Sequence, residues 1–228
     1  MNYLSHYYVA DCPNNTNYTV GLLLPDFLRK QSSKFRIANE PLPQLSTSSQ
    51  YFHKGVLCHY KVDELFHRSD FFKNHLANIQ AEWKAYEFES LRKYKFFLAH
   101  VLLEMILDRI LMKANPNICE LFYKHLANIN KKEYDVYSME IGISRDVSAK
   151  VFSAYKHFLD HQYLQKYLDN IKIINGLSHI YEKFTHLRIS NNDKTKLVSS
   201  LHKIEVAMQA DYKVFLFDLK NNISGFVL

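Results

Sequence analysis

The stretch that decides the fold covers residues 50–69, QYFHKGVLCHYKVDELFHRS. Read as a helix, it places His59, Asp63 and His67 four residues apart, so their side chains stack along one face. His53, six residues before His59, is close enough in angle to join the edge of that face. Three imidazoles and a carboxylate on one stripe indicate that a cation binds against this helix.

A second polar stripe follows in FFLAHVLLEMILDRIL, where His100, Glu104 and Asp108 repeat the four-residue spacing. The residues around this stripe are nearly all apolar, so we expect Glu104 to be buried. A buried carboxylate or imidazole needs a polar partner. Two such stripes facing each other predict a metal site, with Asp108 as an additional ligand or as a group behind the ligands.

The composition predicts an all-α, single-domain multi-helix bundle over residues 1–228. Of 228 residues, 47% are hydrophobic, and only five are glycine and five are proline. This chain can bury a sizeable core and lacks the turn residues of a β-protein. We expect a short helix or extended lead-in at residues 2–10 and a long loop at 31–49. The expected helices are 19–28, 50–69, 71–85, 90–113, 117–129, 144–161, 163–187 and 193–219, with a break at 130–132. Thr19 is expected to cap the first of these and Ser144 the helix 144–161.

Charge and cysteine usage limit the partners and the compartment. The formal charge of +6 favours an anionic partner but is too small to predict a nucleic-acid-binding protein. Three cysteines without paired spacing do not form a disulfide framework, which favours a reducing compartment. No secretory signal and no membrane-length apolar run are visible, so we expect a cytoplasmic protein. The sequence leaves the oligomeric state open.

The ligand types point to a catalytic site. Imidazoles with carboxylates and no cysteine favour a catalytic ion over a structural zinc, and suit Zn, Mn or Fe. The two stripes offer more ligands than one ion can use, so we expect one to three ions per chain. Clustered ions of this kind hold the attacking and leaving oxygens of phosphoryl transfer.

Three segments, MNYLSHYYVA, GLLLPDFLRK and GVLCHYKVD, resemble the acyl-carrier-protein phosphodiesterase family. The resemblance covers about the first half of the chain. It implies an all-α fold like that of HD-domain phosphohydrolases. It also implies release of phosphopantetheine from acyl carrier protein with a divalent metal. The chain departs from that family where Tyr60 replaces an arginine and where Phe66 and His67 replace a Thr-Asp pair.

The order of ligand residues is also similar to the zinc-dependent phospholipase C and single-strand nuclease family, which is all-α as well. That resemblance implies eight metal ligands, which are His6, Asp26, His53, His59, Asp63, His67, His100 and Glu104. Both resemblances imply phosphodiester hydrolysis, and they differ mainly in substrate. The alternatives are a phospholipase C-like or nucleotide phosphoesterase and a non-catalytic helical interaction protein with a structural metal.

The segment around Pro25 supplies the remaining expected site residues. A proline inside a helix should kink or break it, which would aim Asp26 into a cleft. We expect Asp26 and Asp63 to be the catalytic carboxylates, with Asp26 as a ligand or the general base. Arg29 and Lys30 follow closely and are expected to bind the substrate's phosphate or an acidic partner surface.

Overall fold

We analysed a computed structural model of the protein, which describes residues 1–32, 35–91 and 93–226. Within these residues the chain forms eleven α-helices and two short 3-10 helices, without a β-strand, which confirms the predicted all-α class. The α-helices are α1 (Tyr3–Val9), α2 (Thr16–Gln31), α3 (Thr47–Arg68), α4 (Asp70–Lys84), α5 (Lys95–Ala114), α6 (Ile118–Ala127), α7 (Lys131–Glu140), α8 (Arg145–His161), α9 (Asn170–Thr185), α10 (Asn191–Gln209) and α11 (Tyr212–Asn222). The 3-10 helices are Tyr163–Leu168 and Ser224–Phe226.

Positions 33 and 34 of the predicted loop, position 92 of the predicted helix 90–113 and the last two positions of the predicted domain lie outside the described residues. None of the described helices has both the length and the apolar character needed to cross a bilayer. The three cysteines are free thiols, as their spacing predicts.

Helices α2 and α3 pack so closely at two glycines that neither position has room for a side chain. A Cβ atom at Gly21 would lie 2.1 Å from the carbonyl oxygen of Phe52. One at Gly55 would lie 2.2 Å from the carbonyl oxygen of Tyr18. Glycine is therefore required for the two backbones to touch, and this contact sets how α3 lies along α2.

Helix α2 differs from the prediction at its start and at Pro25. It begins at Thr16, because the Asn15 side chain accepts a hydrogen bond from the backbone N–H of Tyr18 and caps the helix. Thr19, the predicted cap, instead donates its hydroxyl to the carbonyl of Asn15. Of the predicted kink or break at Pro25, the break is wrong, since the helix is continuous to Gln31. Its many buried apolar side chains hold it together where the proline removes one backbone hydrogen bond.

The second half of the chain has more helices than its apolar pattern predicts, because polar caps divide the apolar runs. Asn130 caps α7 where a break was predicted. Asp169 caps α9 and separates it from the 3-10 helix, so the predicted helix 163–187 is two elements. The predicted helix 193–219 is likewise divided into α10 and α11, around Asp211. The predicted Ser144 cap of α8 is confirmed.

Candidate metal centre

Within the described residues, helices α1, α3 and α5 bring six of the predicted ligands into two groups. The inner triad is His6, His59 and Asp63, and the outer triad is His67, His100 and Glu104. In each triad, one ligand atom per residue lies within 4.8 Å of the others. The residues spaced four apart on α3 thus contribute to both triads: His59 and Asp63 belong to the inner triad and His67 to the outer one.

The inner triad is arranged around the carboxylate of Asp63. The Nε2 atom of His6 lies 3.2 Å from Asp63 Oδ1, and that of His59 lies 3.6 Å from Asp63 Oδ2. His59 donates its Nδ1 hydrogen to the carbonyl of Leu22, at 2.8 Å. When this ring is neutral, its Nε2 carries a lone pair directed at a carboxylate. Two such electron-rich atoms repel each other unless a cation lies between them, so this geometry suits a metal ion.

His6 gives an independent indication that this group of residues suits a cation. Its side chain is fully buried, and neither ring nitrogen has a partner in hydrogen-bond geometry. The ring stacks on that of His59, with centroids 4.2 Å apart. Burial, together with the adjacent His59, lowers the pKa of His6 to about 4. The ring is therefore neutral near pH 7, which is the form that binds metals, and a bound ion would satisfy its buried nitrogen.

The outer triad centres on Nε2 of His100. This atom lies 2.9 Å from Glu104 Oε1 and 3.1 Å from Nε2 of His67. His67 donates its Nδ1 hydrogen to the backbone carbonyl of Asp63, at 2.7 Å. Its own Nε2 therefore faces the triad with a lone pair when the ring is neutral. One hydrogen on His100 cannot fully satisfy both neighbours, whereas one divalent cation would bind all three ligand atoms.

The two triads adjoin each other. The amino group of Met1 lies 2.5 Å from Asp63 Oδ1 and 3.4 Å from Glu104 Oε1, so one nitrogen contacts a carboxylate of each triad. Burial alone would raise the pKa of Glu104, but the Met1 amino group and His100 outweigh it and lower that pKa to about 2. Against the effect of burial, the amino group and His6 likewise hold the pKa of Asp63 well below its usual range. Both carboxylates are thus ionised and suited to binding a cation.

Three predicted ligands, Asp26, His53 and Asp108, lie outside the triads, and other groups use the polar atoms of the last two. Asp108 is fully buried, and its oxygens accept hydrogen bonds from the backbone N–H groups of Ser5 and Leu4. It holds the start of α1, the helix that carries His6. His53 contacts the hydroxyl of Tyr137 through Nδ1 and the carbonyl of Glu40 through Nε2. Its two ring nitrogens are therefore both engaged.

The residues predicted around Pro25 also lie outside the triads. Asp26 contacts Arg29, with 3.6 Å between its Oδ1 and the guanidinium Nη2. Lys30 donates to the hydroxyl of Tyr3, at 2.5 Å. Glu104, which the apolar pattern placed in the core, keeps 19% of its side chain exposed.

A surface cleft of about 410 Å³ opens beside the triads and reaches Asp63 and His67. Arg36, Ile37, Asn39, Tyr60, Glu64 and Arg68 complete its lining. None of these six residues was predicted from the sequence as part of a site. Tyr60 and Arg68 follow ligand residues on α3 by one position, which is a usable signal. Arg36 lies in a loop without periodicity and offers none.

Comparisons of the chain with protein-family models, curated proteins and solved structures give no significant match. The two family resemblances noted from the sequence therefore stay predictions, as do the activity and the ligand roles.

Proposed function

We propose that this protein is a metal-dependent phosphodiester hydrolase whose ions bind at the inner and outer triads. The observation that carries the proposal is the pair of adjoining triads, each with two imidazoles and one carboxylate, beside an open cleft. A solvated polar surface would not bury His6 with neither ring nitrogen in hydrogen-bond geometry. Neutral nitrogen and ionised oxygen donors suit Zn, Mn or Fe.

Each residue of the triads has a definable role in this proposal. The Nε2 atoms of His6 and His59 and the carboxylate of Asp63 would hold one ion, and the outer triad a second. When bound, such ions supply Lewis acidity that stabilises charge on phosphate oxygens. The carbonyls of Leu22 and Asp63 orient His59 and His67 through Nδ1, as is usual for metal-binding histidines.

Asp26 keeps its proposed role as the general base, and acyl carrier protein is the proposed macromolecular substrate. The choice of acyl carrier protein comes from the family resemblance and from the net charge of +6, which favours an acidic partner. Nucleic acid is not a proposed substrate. A carrier protein carries its phosphodiester where a flexible arm joins the protein, and the cleft is large enough for such an arm.

The test combines elemental analysis with two assays. Protein purified without added metal is analysed for bound ions. It is then assayed with Zn, Mn or Fe(II) on bis(para-nitrophenyl) phosphate and on phosphopantetheinylated carrier protein. We expect hydrolysis that a chelator abolishes and that Asp63→Asn removes. The matched control is Asp160→Asn, which changes an exposed carboxylate on α8.

Three results would count against the proposal. Hydrolysis that survives chelation would exclude a required metal. Equal activity in Asp63→Asn and Asp160→Asn would exclude the triads. Stoichiometric metal without hydrolysis of either substrate would favour the helical interaction protein with a structural metal.

A further inference from the structure

The cleft beside the triads joins a loop residue to the ligand-bearing face of α3. Tyr60 on α3 donates its hydroxyl to the carbonyl of Ile37, at 3.3 Å, and so ties the loop to the helix. Arg36 precedes Ile37 and lines the same cleft as Asp63 and His67. A loop cation is thereby placed in the same small volume as one ligand from each triad.

The charges of the cleft leave Arg36 uncompensated. Arg68 donates to Glu64 Oε1 at 2.5 Å, so these two lining residues neutralise each other. Asp63 belongs to the inner triad, where the amino group of Met1 and the histidines face it. Within the described part of the chain, Arg36 forms neither an ion pair nor a hydrogen bond. Its guanidinium is therefore free to bind an anion that enters the cleft.

We propose that this cleft is the substrate's phosphate site and that Arg36 binds the phosphate oxygens. The proposal rests on the proposed function for the choice of phosphate as the anion. The planar guanidinium matches two phosphate oxygens at once, which a lysine cannot do. At about 410 Å³, the cleft takes a phosphate with a short arm and excludes a folded protein. The substrate is thus an ester whose small phosphorylated arm enters while any larger part stays outside.

The test uses chelated protein, so that anion binding is measured without metal and without turnover. Inorganic phosphate is titrated at about pH 8, where free histidines are neutral, and the backbone amide signals are followed by NMR. We expect the signals of Ile37 and Asn39 to shift in the wild type. Arg36→Gln should weaken phosphate binding by about tenfold or more, because a charge-assisted bidentate contact is lost.

Arg145→Gln is the matched control, since Arg145 is also exposed but does not line the cleft. It should bind phosphate like the wild type. Equal loss in Arg36→Gln and Arg145→Gln would show a general charge effect and overturn the proposal. Phosphate shifts confined to residues outside the cleft would also overturn it. A loss specific to Arg36→Gln would support the cleft even if the metal-loaded protein hydrolysed no ester, so the two proposals can fail separately.

Discussion

The inner and outer triads each contain two imidazoles and one carboxylate, but their imidazoles differ in access to water. His6 and His59 have side chains 0% and 3% exposed, whereas those of His67 and His100 are 37% and 28% exposed. The difference follows from their helices. The inner imidazoles lie where α1 and α3 meet the core, and the outer ones lie toward the ends of α3 and α5.

The two triads also differ in the carbonyl groups that accept a hydrogen bond from Nδ1 of their histidines on α3. His59 is oriented by the carbonyl of Leu22, which belongs to another helix, so its position depends on how α2 and α3 pack. His67 is oriented by the carbonyl of Asp63, one turn earlier on its own helix. Each triad combines two ligands one turn apart on one helix with a third from another helix. The orientation of His59 nevertheless depends on how α2 packs against α3, whereas that of His67 is set within α3 itself. We therefore expect an ion to exchange slowly at the inner triad and more rapidly at the outer one.

Asp63→Ala is expected to have the largest effect, because this residue anchors the inner triad and lines the cleft. Activity should fall by about 10⁴-fold, since the ion stabilises transition-state charge by several kcal/mol. Elemental analysis should show loss of the inner ion with the outer ion retained. Retention of both ions with full activity would remove Asp63 from the site.

The second-largest expected effect is a pH dependence of the stability of the chelated protein, which arises from Asp108, the residue that holds α1. Burial raises the pKa of Asp108 to about 7, although hydrogen bonds from Ser5 and Leu4 oppose it. The folded state then binds a proton that the unfolded state has released, so the contribution of Asp108 to stability is complete below about pH 4. It falls as the pH rises to about 7, by about 4 kcal/mol in total.

The measurement is urea unfolding of wild type and Asp108→Asn at several pH values. The difference between their free energies of unfolding should shrink by that amount between about pH 4 and pH 7. A difference that grows with pH would mean that the carboxylate is ionised and that α1 is held by a charge.

Gly55→Ala should disturb the inner triad selectively. The added methyl would meet the carbonyl of Tyr18, so α2 must move away at a cost of about 3 kcal/mol. This movement carries the Leu22 carbonyl away from His59, and affinity at the inner triad should fall while the outer triad is unchanged. Gly176→Ala is the control, because its methyl would meet only the side chain of Met105, at 3.5 Å.

Denaturant unfolding measures the loss of stability in Gly55→Ala, and calorimetric metal titration measures its loss of affinity at the inner triad. Gly176→Ala should be neutral or more stable by about 0.5–1 kcal/mol, as for glycine in a helix. Equal stability of the two variants would show that the close packing is not required.

Glu104→Gln should have the smallest effect and should be confined to the outer triad. The substitution keeps the shape of the side chain but removes the charge, so affinity for the outer ion should fall by about 10–100-fold. The metal-dependent rise in melting temperature should shrink correspondingly. The chelated variant should melt below the wild type, because the glutamine side chain cannot form the ion pairs of Glu104 with the Met1 amino group and His100. An unchanged rise would mean that Glu104 is not a ligand.

The sequence predicts the outer triad better than the inner one, for a physical reason. Helical spacing alone brings His59 toward Asp63 and His100 toward Glu104, and His67 lies on the same predicted stripe of α3. His6 lies on a separate short helix and entered the prediction only through a family resemblance. Asp108 has the spacing of a ligand, but the folded chain uses it to hold α1, which no local pattern reveals.

Local sequence patterns do not reveal tertiary contacts, and this also explains the other differences between the predicted and the observed fold and site. The continuity of α2 through Pro25 depends on tertiary burial that local propensity does not include. Arg36 could not be selected because a loop without periodicity gives no indication of what it faces. Helix type and most helix positions were predictable, since they depend on apolar spacing and on caps such as Ser144.

The carbonyl of Leu22 has a consequence for how the protein tolerates mutation. Any amino acid at position 22 supplies the same oxygen to His59, so no side-chain replacement there can delete this hydrogen bond. The vulnerable positions are Gly21 and Gly55, where α2 and α3 are in close contact. A saturation library should therefore accept residues of similar size at position 22 and reject nearly every replacement at the two glycines. The two glycines set the packing of α2 against α3, and this packing places the Leu22 carbonyl that orients His59. A search for polar residues near the site would overlook both positions.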